Sequence, residues 1–225
     1  MAERPLKVRV KSARGRRLSS TRWLDRQLND PFVQRSKAEG YRSRAAYKLL
    51  EIDRKAKLLR KGARVLDLGS APGGWAQVAA RRGARVVGVD LQPVEPLPGV
   101  TLLQGDVFDD RMAVRMIEAL GGPPDLILSD LAASATGQRA VDRLRAEAIG
   151  EAVLELARTH LAMNGGLVLK LVRGAENDVM AEAKKSFART RLMRPEATRK
   201  DSSEIYLIAE GFRGAPDADP GSGDR

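Results

Sequence analysis

A short segment that passes from apolar residues into a glycine-rich turn most constrains the fold of this chain. The segment is Val65-Leu-Asp-Leu-Gly-Ser-Ala-Pro-Gly-Gly-Trp75, and it predicts a strand that ends in a tight turn and then opens a helix. Because glycine has no Cβ, the backbone of Gly69, Gly73 and Gly74 can adopt otherwise forbidden dihedral angles and approach a ligand closely. Open α/β sheets bind ligands beyond the carboxyl ends of their parallel strands. The turn therefore predicts an α/β fold with a small-molecule site.

The spacing of the glycines narrows the choice of ligand. A dinucleotide-binding turn needs Gly-x-Gly-x-x-Gly, whereas this turn reads Gly-x-x-x-Gly-Gly with Pro72 inside it. A Walker phosphate loop needs a Lys followed by Ser or Thr, and no such pair follows here. What remains is a turn of the kind that binds S-adenosylmethionine, which we predict as the cofactor.

Two aspartates at the ends of the next predicted strands support this interpretation. Asp90 lies 23 residues after Asp67, where a carboxylate can accept hydrogen bonds from both ribose hydroxyls. Asp106 follows the third strand and is suited to accept a hydrogen bond from an exocyclic adenine amine. Taken alone, each aspartate fits a helix cap or a solvated loop equally well. Three strand-end features in the expected order favour a cofactor site.

The rest of the chain alternates between apolar runs of strand length and segments with helical periodicity. We predict strands at 64–68, 84–89, 100–104, 125–129, 166–172 and 204–209, and helices at 75–82, 109–120, 142–162 and 177–189. Two further helices are predicted between residues 21 and 56, with a break at Asn29-Asp-Pro31. This alternation predicts a doubly wound, mainly parallel sheet, whose last strand we expect to be antiparallel.

Composition divides the chain into one domain and two extensions. Residues 1–21 are predicted to form a basic flexible segment, residues 22–211 a single domain, and residues 212–225 a disordered tail. The chain has no Cys, which excludes a disulfide, a thiolate metal site and a cysteine nucleophile. It also has no apolar run long enough to span a bilayer. We therefore expect a cytoplasmic protein.

The positive charge is concentrated in two segments. The net charge is +11, and residues 1–48 hold 14 Lys and Arg against four Asp and Glu. Residues 183–200 hold seven Lys and Arg against the single Glu196. A charged run is often only a solvated surface. Two separate basic segments on one small protein nevertheless favour a nucleic acid partner, because clustered Lys and Arg neutralise phosphates.

One lysine interrupts an otherwise apolar predicted strand. Lys170 lies within residues 166–172, where an isolated buried ammonium would be very costly. It must reach outward to solvent, pair with acids, or lose its proton and so become a general base. Asp130 closes a neighbouring strand, and Glu204, at the start of an antiparallel last strand, would lie at the same edge and could also reach Lys170. Lys48, in a predicted helix, fits an ordinary surface lysine by sequence alone.

Several motifs of the chain resemble the bacterial FtsJ/RrmJ group of ribosomal RNA methyltransferases, also called the large-subunit methyltransferase E family. The resemblance covers roughly residues 36–211. It rests on Ser43-Arg-Ala-Ala-Tyr-Lys-Leu49, Asp67-Leu-Gly-Ser-Ala-Pro-Gly-Gly-Trp75, Ser129-Asp-Leu-Ala132, Leu169-Lys-Leu-Val172, Arg194-Pro195 and Ser203-Glu-Ile-Tyr206. One position departs from the pattern: Ala133 stands where family members often have proline.

The resemblance implies a Rossmann-like class I S-adenosylmethionine methyltransferase fold and a set of site residues. The family's catalytic tetrad falls on Lys48, Asp130, Lys170 and Glu204, with Lys170 as the proton acceptor. Its cofactor contacts fall on Gly73, Trp75, Asp90, Asp106 and Asp130. The implied reaction is methyl transfer from S-adenosylmethionine to the 2′-hydroxyl of a ribose, in the family a uridine, in 23S ribosomal RNA.

Alternatives from other classes remain open at this point. An RNA-binding factor of large-subunit assembly could keep the fold and cofactor and act chiefly by binding, in which case loss of Lys170 would be tolerated. A nucleotide-dependent oxidoreductase is disfavoured because Gly-x-Gly-x-x-Gly is absent. We expect a monomer that acts on ribosomal RNA or the large ribosomal subunit, with no membrane partner and no metal site. The single histidine, His160, is expected to be structural.

Overall fold

A computed structural model describes residues 28–133 and 136–215 of the chain. The predicted flexible segment at residues 1–21 and most of the predicted tail at residues 212–225 lie outside these described residues. In the part of the chain that the structure describes, no helix is both long enough and apolar enough to cross a membrane.

The described residues are organised around one seven-stranded sheet. Its strands are β1 (Arg64–Leu68), β2 (Arg85–Asp90), β3 (Val100–Gln104), β4 (Leu126–Ser129), β5 (Gly166–Val172), β6 (Phe187–Met193) and β7 (Glu204–Phe212). They lie side by side in the order β3-β2-β1-β4-β5-β7-β6. The pairs among β1 to β5 are parallel, and β7 runs antiparallel to both β5 and β6.

Helices cover both faces of the sheet. They are α1 (Pro31–Ala38), α2 (Ala46–Ala56), α3 (Gly74–Arg81), α4 (Asp110–Leu120), α5 (Arg139–His160) and α6 (Glu176–Ser186). The first face is covered by α4, α5 and α6, and its core includes Leu66, Met116, Leu154, Leu167 and Val179. The second face is covered by α2 and α3, and its core includes Leu49, Ile52, Val65, Val78 and Val168. The predicted doubly wound sheet with an antiparallel last strand is confirmed.

Two predicted boundaries differ from the structure near the carboxyl end. The helix predicted at 177–189 ends at Ser186, and the following residues form the edge strand β6, which the sequence did not predict. Strand β7 continues to Phe212, three residues beyond the predicted end at Ala209. Both differences arise because β6 and β7 pair with each other over their length. Long-range pairing of this kind overrides the local helical periodicity.

A close contact between two helices holds α2 against the second face. Gly74, the first residue of α3, packs against the Ser43 hydroxyl just before α2, and a Cβ at Gly74 would collide with Ser43 Oγ. The indole N–H of Trp75 donates to the carbonyl oxygen of Ala45 at 2.9 Å. The glycine turn thus positions the helix that carries Lys48 as well as the cofactor site.

We expect Gly74→Ala to lower the free energy of unfolding by about 1–3 kcal/mol, the usual cost of overpacking. Ser43 Oγ is buried and makes no hydrogen bond to a described residue, so Ser43→Ala removes the obstacle at little cost. The double variant should therefore recover much of the lost stability. Urea unfolding of the three variants measures this, and equal losses in the single and double variants would contradict the assigned contact.

Candidate active site

The alternation of strand residues brings two of the predicted catalytic residues to the same face. Leu128 and Val168 belong to the core of the second face. Because side chains alternate along a strand, Asp130 and Lys170, each two residues farther along the chain, lie on that side at the carboxyl edge. Strands β4 and β5 are direct neighbours in the sheet. Asp130 and Lys170 therefore come within contact distance.

The antiparallel strand β7 supplies the remaining sheet residues. Its register places Tyr206 opposite Lys170 and Glu204 opposite Val172. Glu204 and Tyr206 are two residues apart, so both face the same side as Lys170. Helix α2, which covers this face, carries Lys48. Three strands and one helix thus meet at one edge of the sheet.

A continuous chain of hydrogen bonds joins these five side chains. Lys170 Nζ lies 3.1 Å from Asp130 Oδ1 and also donates to the main-chain carbonyl oxygen of Asp130. The Tyr206 hydroxyl donates to the same Oδ1 at 3.0 Å and accepts a hydrogen bond from Lys48 Nζ at 2.9 Å. Lys48 Nζ lies 2.8 Å from Glu204 Oε2. The four residues predicted as the catalytic tetrad are therefore assembled, with Tyr206 between the two ion pairs.

The pairing of Glu204 differs from the expectation at one point. We expected Glu204 to reach Lys170, but among the described residues Glu204 forms its ion pair with Lys48. The reason is the register, which sets Glu204 beside Val172, beyond Lys170 on β5, and directly under helix α2. Each lysine therefore has its own carboxylate.

Tyr206 is a site residue that the sequence analysis quoted in a motif without assigning it a role. Its side chain is fully buried, and its ring packs against Trp75 at a centroid distance of 5.7 Å. Burial, followed by the charges of Asp130 and Glu204, raises the pKa of Tyr206 far above its usual range. The phenol therefore stays protonated, and its O–H donates a hydrogen bond to Asp130. Its position two residues after Glu204 in a strand was the available signal.

A cavity of about 690 Å³ lies beside this chain, where β1, β2 and β4 end. Its lining includes Gly69, Asp90, Asp106 and Asp130. Gly69 has φ +75°, and a Cβ there would lie 2.8 Å from Leu131 Cδ2. Only glycine therefore fits the turn at this point. We call this space the cofactor cavity.

Hydrogen bonds hold the Asp90 carboxylate in place at the cofactor cavity. Its Oδ2 accepts from the main-chain N–H of Ala71 at 2.8 Å, and its Oδ1 accepts from that of Gln92 at 2.9 Å. Each carboxylate oxygen can accept a second hydrogen bond. A fixed carboxylate with spare acceptor capacity suits the two hydroxyls of a ribose.

The far side of the cofactor cavity combines one acid with apolar surface. Asp106 Oδ1 accepts from the main-chain N–H of Phe108 at 3.0 Å. Phe108 and Leu91 line the cavity and are 43% and 70% exposed, which is unusual for large apolar residues. A flat heterocycle with an exocyclic amine matches this combination. The carboxylate acceptors and the apolar surface of the cavity therefore fit S-adenosylmethionine, the predicted cofactor.

Two of the predicted cofactor residues lie apart from the lining of this cavity. Gly73 is the N-cap of α3, with φ +102°. Trp75 is buried between α2 and the sheet, where its indole binds Ala45 and packs on Tyr206. Gly73 shapes the turn, and Trp75 supports Tyr206. Direct contact between either residue and the cofactor stays a prediction.

Asp67 is a buried acid that the sequence analysis used only as a reference point. Its side chain is inaccessible to solvent, and its Oδ2 accepts a hydrogen bond from Ser70 Oγ at 2.9 Å. Burial raises the pKa of Asp67 to about 7, and the charges of Asp130 and Asp90 act in the same direction. Asp67 is therefore the one described carboxyl group whose pKa is raised into the neutral range.

Comparisons with known proteins agree with this architecture. Residues 41–212 match the model of the FtsJ-like methyltransferase family. The chain is 52% identical over 213 residues to the ribosomal RNA large subunit methyltransferase E of Acidiphilium cryptum, covering 94% of each chain. It is 50% identical over 224 residues to the protein of the same name from Ruegeria pomeroyi, covering 94% of this chain and 96% of that one. The chain belongs to the FtsJ-like methyltransferase family. Members of this family use S-adenosylmethionine.

A solved structure supports the assignment of this methyltransferase. A ribosomal RNA methyltransferase of Plasmodium falciparum has a TM-score of 0.70 to this chain and 29% sequence identity. The alignment covers 77% of this chain and all of the other. The family resemblance inferred from sequence motifs is therefore confirmed.

Several arginines of the second basic segment, residues 183–200, contact other residues of the same chain. Arg189 and Arg191 lie 3.5 and 2.9 Å from the carboxylate of Glu210. Arg194 donates to the main-chain carbonyl oxygen of Arg199 at 2.8 Å. Glu210 therefore offsets part of the positive charge of residues 183–200, and the contact to Arg199 restricts the Arg194 side chain.

We expect Tyr206→Phe to lower the free energy of unfolding by about 1–3 kcal/mol, because it removes the hydrogen bonds that the Tyr206 hydroxyl makes with Lys48 and Asp130 in a buried site. Tyr41→Phe is the matched control, since the Tyr41 hydroxyl makes no hydrogen bond to a described residue. Denaturant unfolding, with circular dichroism to check the fold, measures both. Equal stability of the two variants would contradict the bridging role of Tyr206.

The raised pKa of Asp67 predicts a specific pH dependence of stability. Between the ordinary pKa of 3.8 and about 7, the unfolded chain loses the Asp67 proton while the folded chain keeps it. The contribution of Asp67 to stability therefore falls as the pH rises through this window and is constant above it. Asp67→Asn should gain stability relative to the unaltered chain between pH 4.5 and 8, by several kcal/mol. A difference that does not change with pH, measured by urea unfolding, would refute the raised pKa.

Proposed function

We propose that this chain transfers a methyl group from S-adenosylmethionine to the 2′-hydroxyl of a ribose, that of a uridine, in 23S ribosomal RNA of the large subunit. One observation carries the proposal: the amine of Lys170 is held by Asp130, and Asp130 lines the cofactor cavity. The named relatives act on large-subunit ribosomal RNA by their names, which supports the same substrate here. The proposal includes a monomer acting in the cytoplasm, where ribosomes are assembled.

In this mechanism Lys170 accepts the proton of the hydroxyl. A neutral amine has two N–H groups and one lone pair. The two acceptors around Lys170 Nζ, the carbonyl oxygen and Oδ1 of Asp130, can receive both N–H groups. The lone pair is then directed away from Asp130 and is available for the substrate proton. Asp130 thus acts by orienting the base, and much of the rate arises from such positioning.

Asp130 also connects the base to the cofactor cavity, because it lines that cavity. The bound cofactor supplies an electrophilic methyl group. Asp90 and Asp106 hold its ribose and adenine in this proposal, while Gly73 and Trp75 contribute through the turn. The cofactor would give up this methyl group to the hydroxyl oxygen and leave as the neutral thioether, while Lys170 Nζ would accept the hydroxyl proton.

Lys48 has a different role from Lys170. Its Nζ donates to both Glu204 and Tyr206, and a protonated Nζ has one further N–H group. That group can donate to an oxygen of the substrate ribose. Glu204 keeps the charge of Lys48 paired, because an unpaired buried ammonium is costly. In this proposal Lys48, paired with Glu204, holds the substrate, and Lys170, oriented by Asp130, accepts the proton.

Basic residues outside the active site provide the affinity for RNA in this proposal. The segment at residues 1–21 has no aromatic residue, so phosphate contacts rather than base stacking are expected from it. An assembly factor that acts by binding alone is the competing function. The intact hydrogen-bonded tetrad favours the enzyme, because binding RNA does not require a lysine held by two acceptors of Asp130, a residue that lines the cofactor cavity.

Mapping the product tests the function directly. The protein is incubated with methyl-labelled S-adenosylmethionine and either naked 23S ribosomal RNA or large subunits from cells that lack the activity. We expect one uridine to acquire a label that resists alkaline cleavage of its 3′-phosphodiester, as a 2′-O-methyl ribose does. Label on a base, or no label on either substrate, would refute the proposal.

The role of Lys170 is tested by Lys170→Arg. Guanidinium does not lose its proton in proteins and so cannot serve as a base. We expect single-turnover methyl transfer to be nearly abolished at saturating cofactor and RNA, while the affinity for the cofactor changes little. Lys170→Ala should behave in the same way. Substantial transfer by the Arg variant would show that Lys170 supplies charge and that the base lies elsewhere.

A further inference from the structure

Two cavities lie on either side of the hydrogen-bonded tetrad, in addition to the cofactor cavity. The first has a volume of about 210 Å³, and its lining includes Ala133, Asp142, Ala146, Leu171, Val172, Lys170 and Ser203. The second has a volume of about 430 Å³, and its lining includes Arg44, Lys48, Arg199, Asp201, Ser202 and Glu204. We call them the apolar cavity and the charged cavity. The function of neither follows from the reaction described so far.

The chain that leads into β7 separates the two cavities. Ser203 lines the apolar cavity, whereas its neighbours Ser202 and Glu204 line the charged cavity. Alternate residues of an extended segment face opposite sides. Lys170 is in the wall of the apolar cavity, and Lys48 is in the wall of the charged cavity. The reacting hydroxyl, at Lys170 Nζ, therefore lies between two spaces of different chemistry.

The covalent structure of a nucleotide matches this division. The ribose carbon that carries the 2′-hydroxyl is bonded on one side to the carbon that carries the base. On its other side it is bonded to the carbon that carries the 3′-phosphate. When the 2′-oxygen lies at Lys170, the base and the 3′-phosphate therefore extend to different sides of it. One of the two cavities therefore faces the base and the other faces the phosphate.

The residues that line the two cavities indicate which cavity faces the base and which faces the phosphate. In the charged cavity, Arg44 Nε and Arg199 Nε lie 3.0 and 3.5 Å from the same carboxylate oxygen of Asp30. One carboxylate thus serves two guanidinium groups, which retain N–H groups for an anion. In the apolar cavity, aliphatic side chains predominate, as in sites that hold a base extruded from its stack.

We propose that the apolar cavity holds the base of the methylated nucleotide, which leaves its stack in the RNA to enter it. This inference rests on the proposed function, since it places the base relative to the hydroxyl that Lys170 deprotonates. Leu131, Ala132 and Ile149 line both the apolar cavity and the cofactor cavity. They form the partition between base and cofactor. Ala133 and Ala146 line the apolar cavity alone and determine which base fits.

Filling the cavity tests the proposal. Ala146→Phe occupies it from α5, and Ser203→Phe occupies it from the opposite wall. Ala148→Phe is the control, because Ala148 is exposed on the same helix and lines none of the cavities described. Each variant is assayed for methyl transfer to the RNA substrate and for cofactor affinity by calorimetry. We expect kcat/KM for the RNA to fall by about tenfold or more in both cavity variants, with cofactor affinity within about twofold of the control.

A substrate lacking only the base separates a base site from a general structural effect. Subunits reconstituted with RNA that is abasic at the mapped nucleotide keep the 2′-hydroxyl. The unaltered protein should methylate them about tenfold more slowly or worse, and Ala146→Phe should then differ little from Ala148→Phe, because the two changes remove the same interaction. Independent effects that multiply would overturn the proposal. So would wild-type kcat/KM in both cavity variants.

The two proposals fail in different ways. If the unaltered protein transfers no methyl group to ribose, the proposed function and this inference both fall. If it methylates ribose and the filled cavity or the missing base makes no difference, only the base site is refuted. If Ala146→Phe is unstable by thermal unfolding, Ser203→Phe decides, because Ser203 is exposed and its side chain lies outside the core.

Discussion

The pairing of two lysines with two carboxylates through Tyr206 is the interaction on which the rest of the site depends. Asp130 and Lys170 lie at the carboxyl edge of a sheet whose neighbouring inward residues are aliphatic, where unpaired charges would be costly. Tyr206 donates to one pair and accepts from the other, so the two pairs share one hydrogen-bonded network. Such a network holds its members in one arrangement only when every member is satisfied.

This network needs the antiparallel insertion of β7 beside β5. With β7 as a neighbour, Tyr206 lies opposite Lys170, and Glu204 reaches the helix that carries Lys48. The same insertion separates an apolar space from a charged one at the approach to β7. The cofactor cavity lies at the other side of Asp130. One carboxylate thus lines the cofactor cavity, pairs with Lys170 and accepts a hydrogen bond from Tyr206.

Local sequence signals were sufficient where a residue's role follows from its own strand or turn. The turn after β1, the acids at Asp90 and Asp106 and the central strands were predicted within a residue or two, because apolar runs and glycines report directly on the backbone. The edge strand β6 was missed. Val179, Ala183 and Phe187 recur at every fourth residue, so the helical pattern continues into a segment that pairs with β7. Periodicity alone has no information about a strand partner that is distant in sequence.

By itself, the sequence determined the fold class and the family and predicted which four residues form the tetrad, since these depend on patterns and motifs along the chain. Only the tertiary structure decided which acid pairs with which lysine, how Tyr206 joins them, and that Trp75 supports Tyr206 from beneath. The physical reason is the register between β5 and β7 and the docking of α2 on the second face. These interactions join residues far apart in sequence, and a contact between two side chains depends on both of their positions.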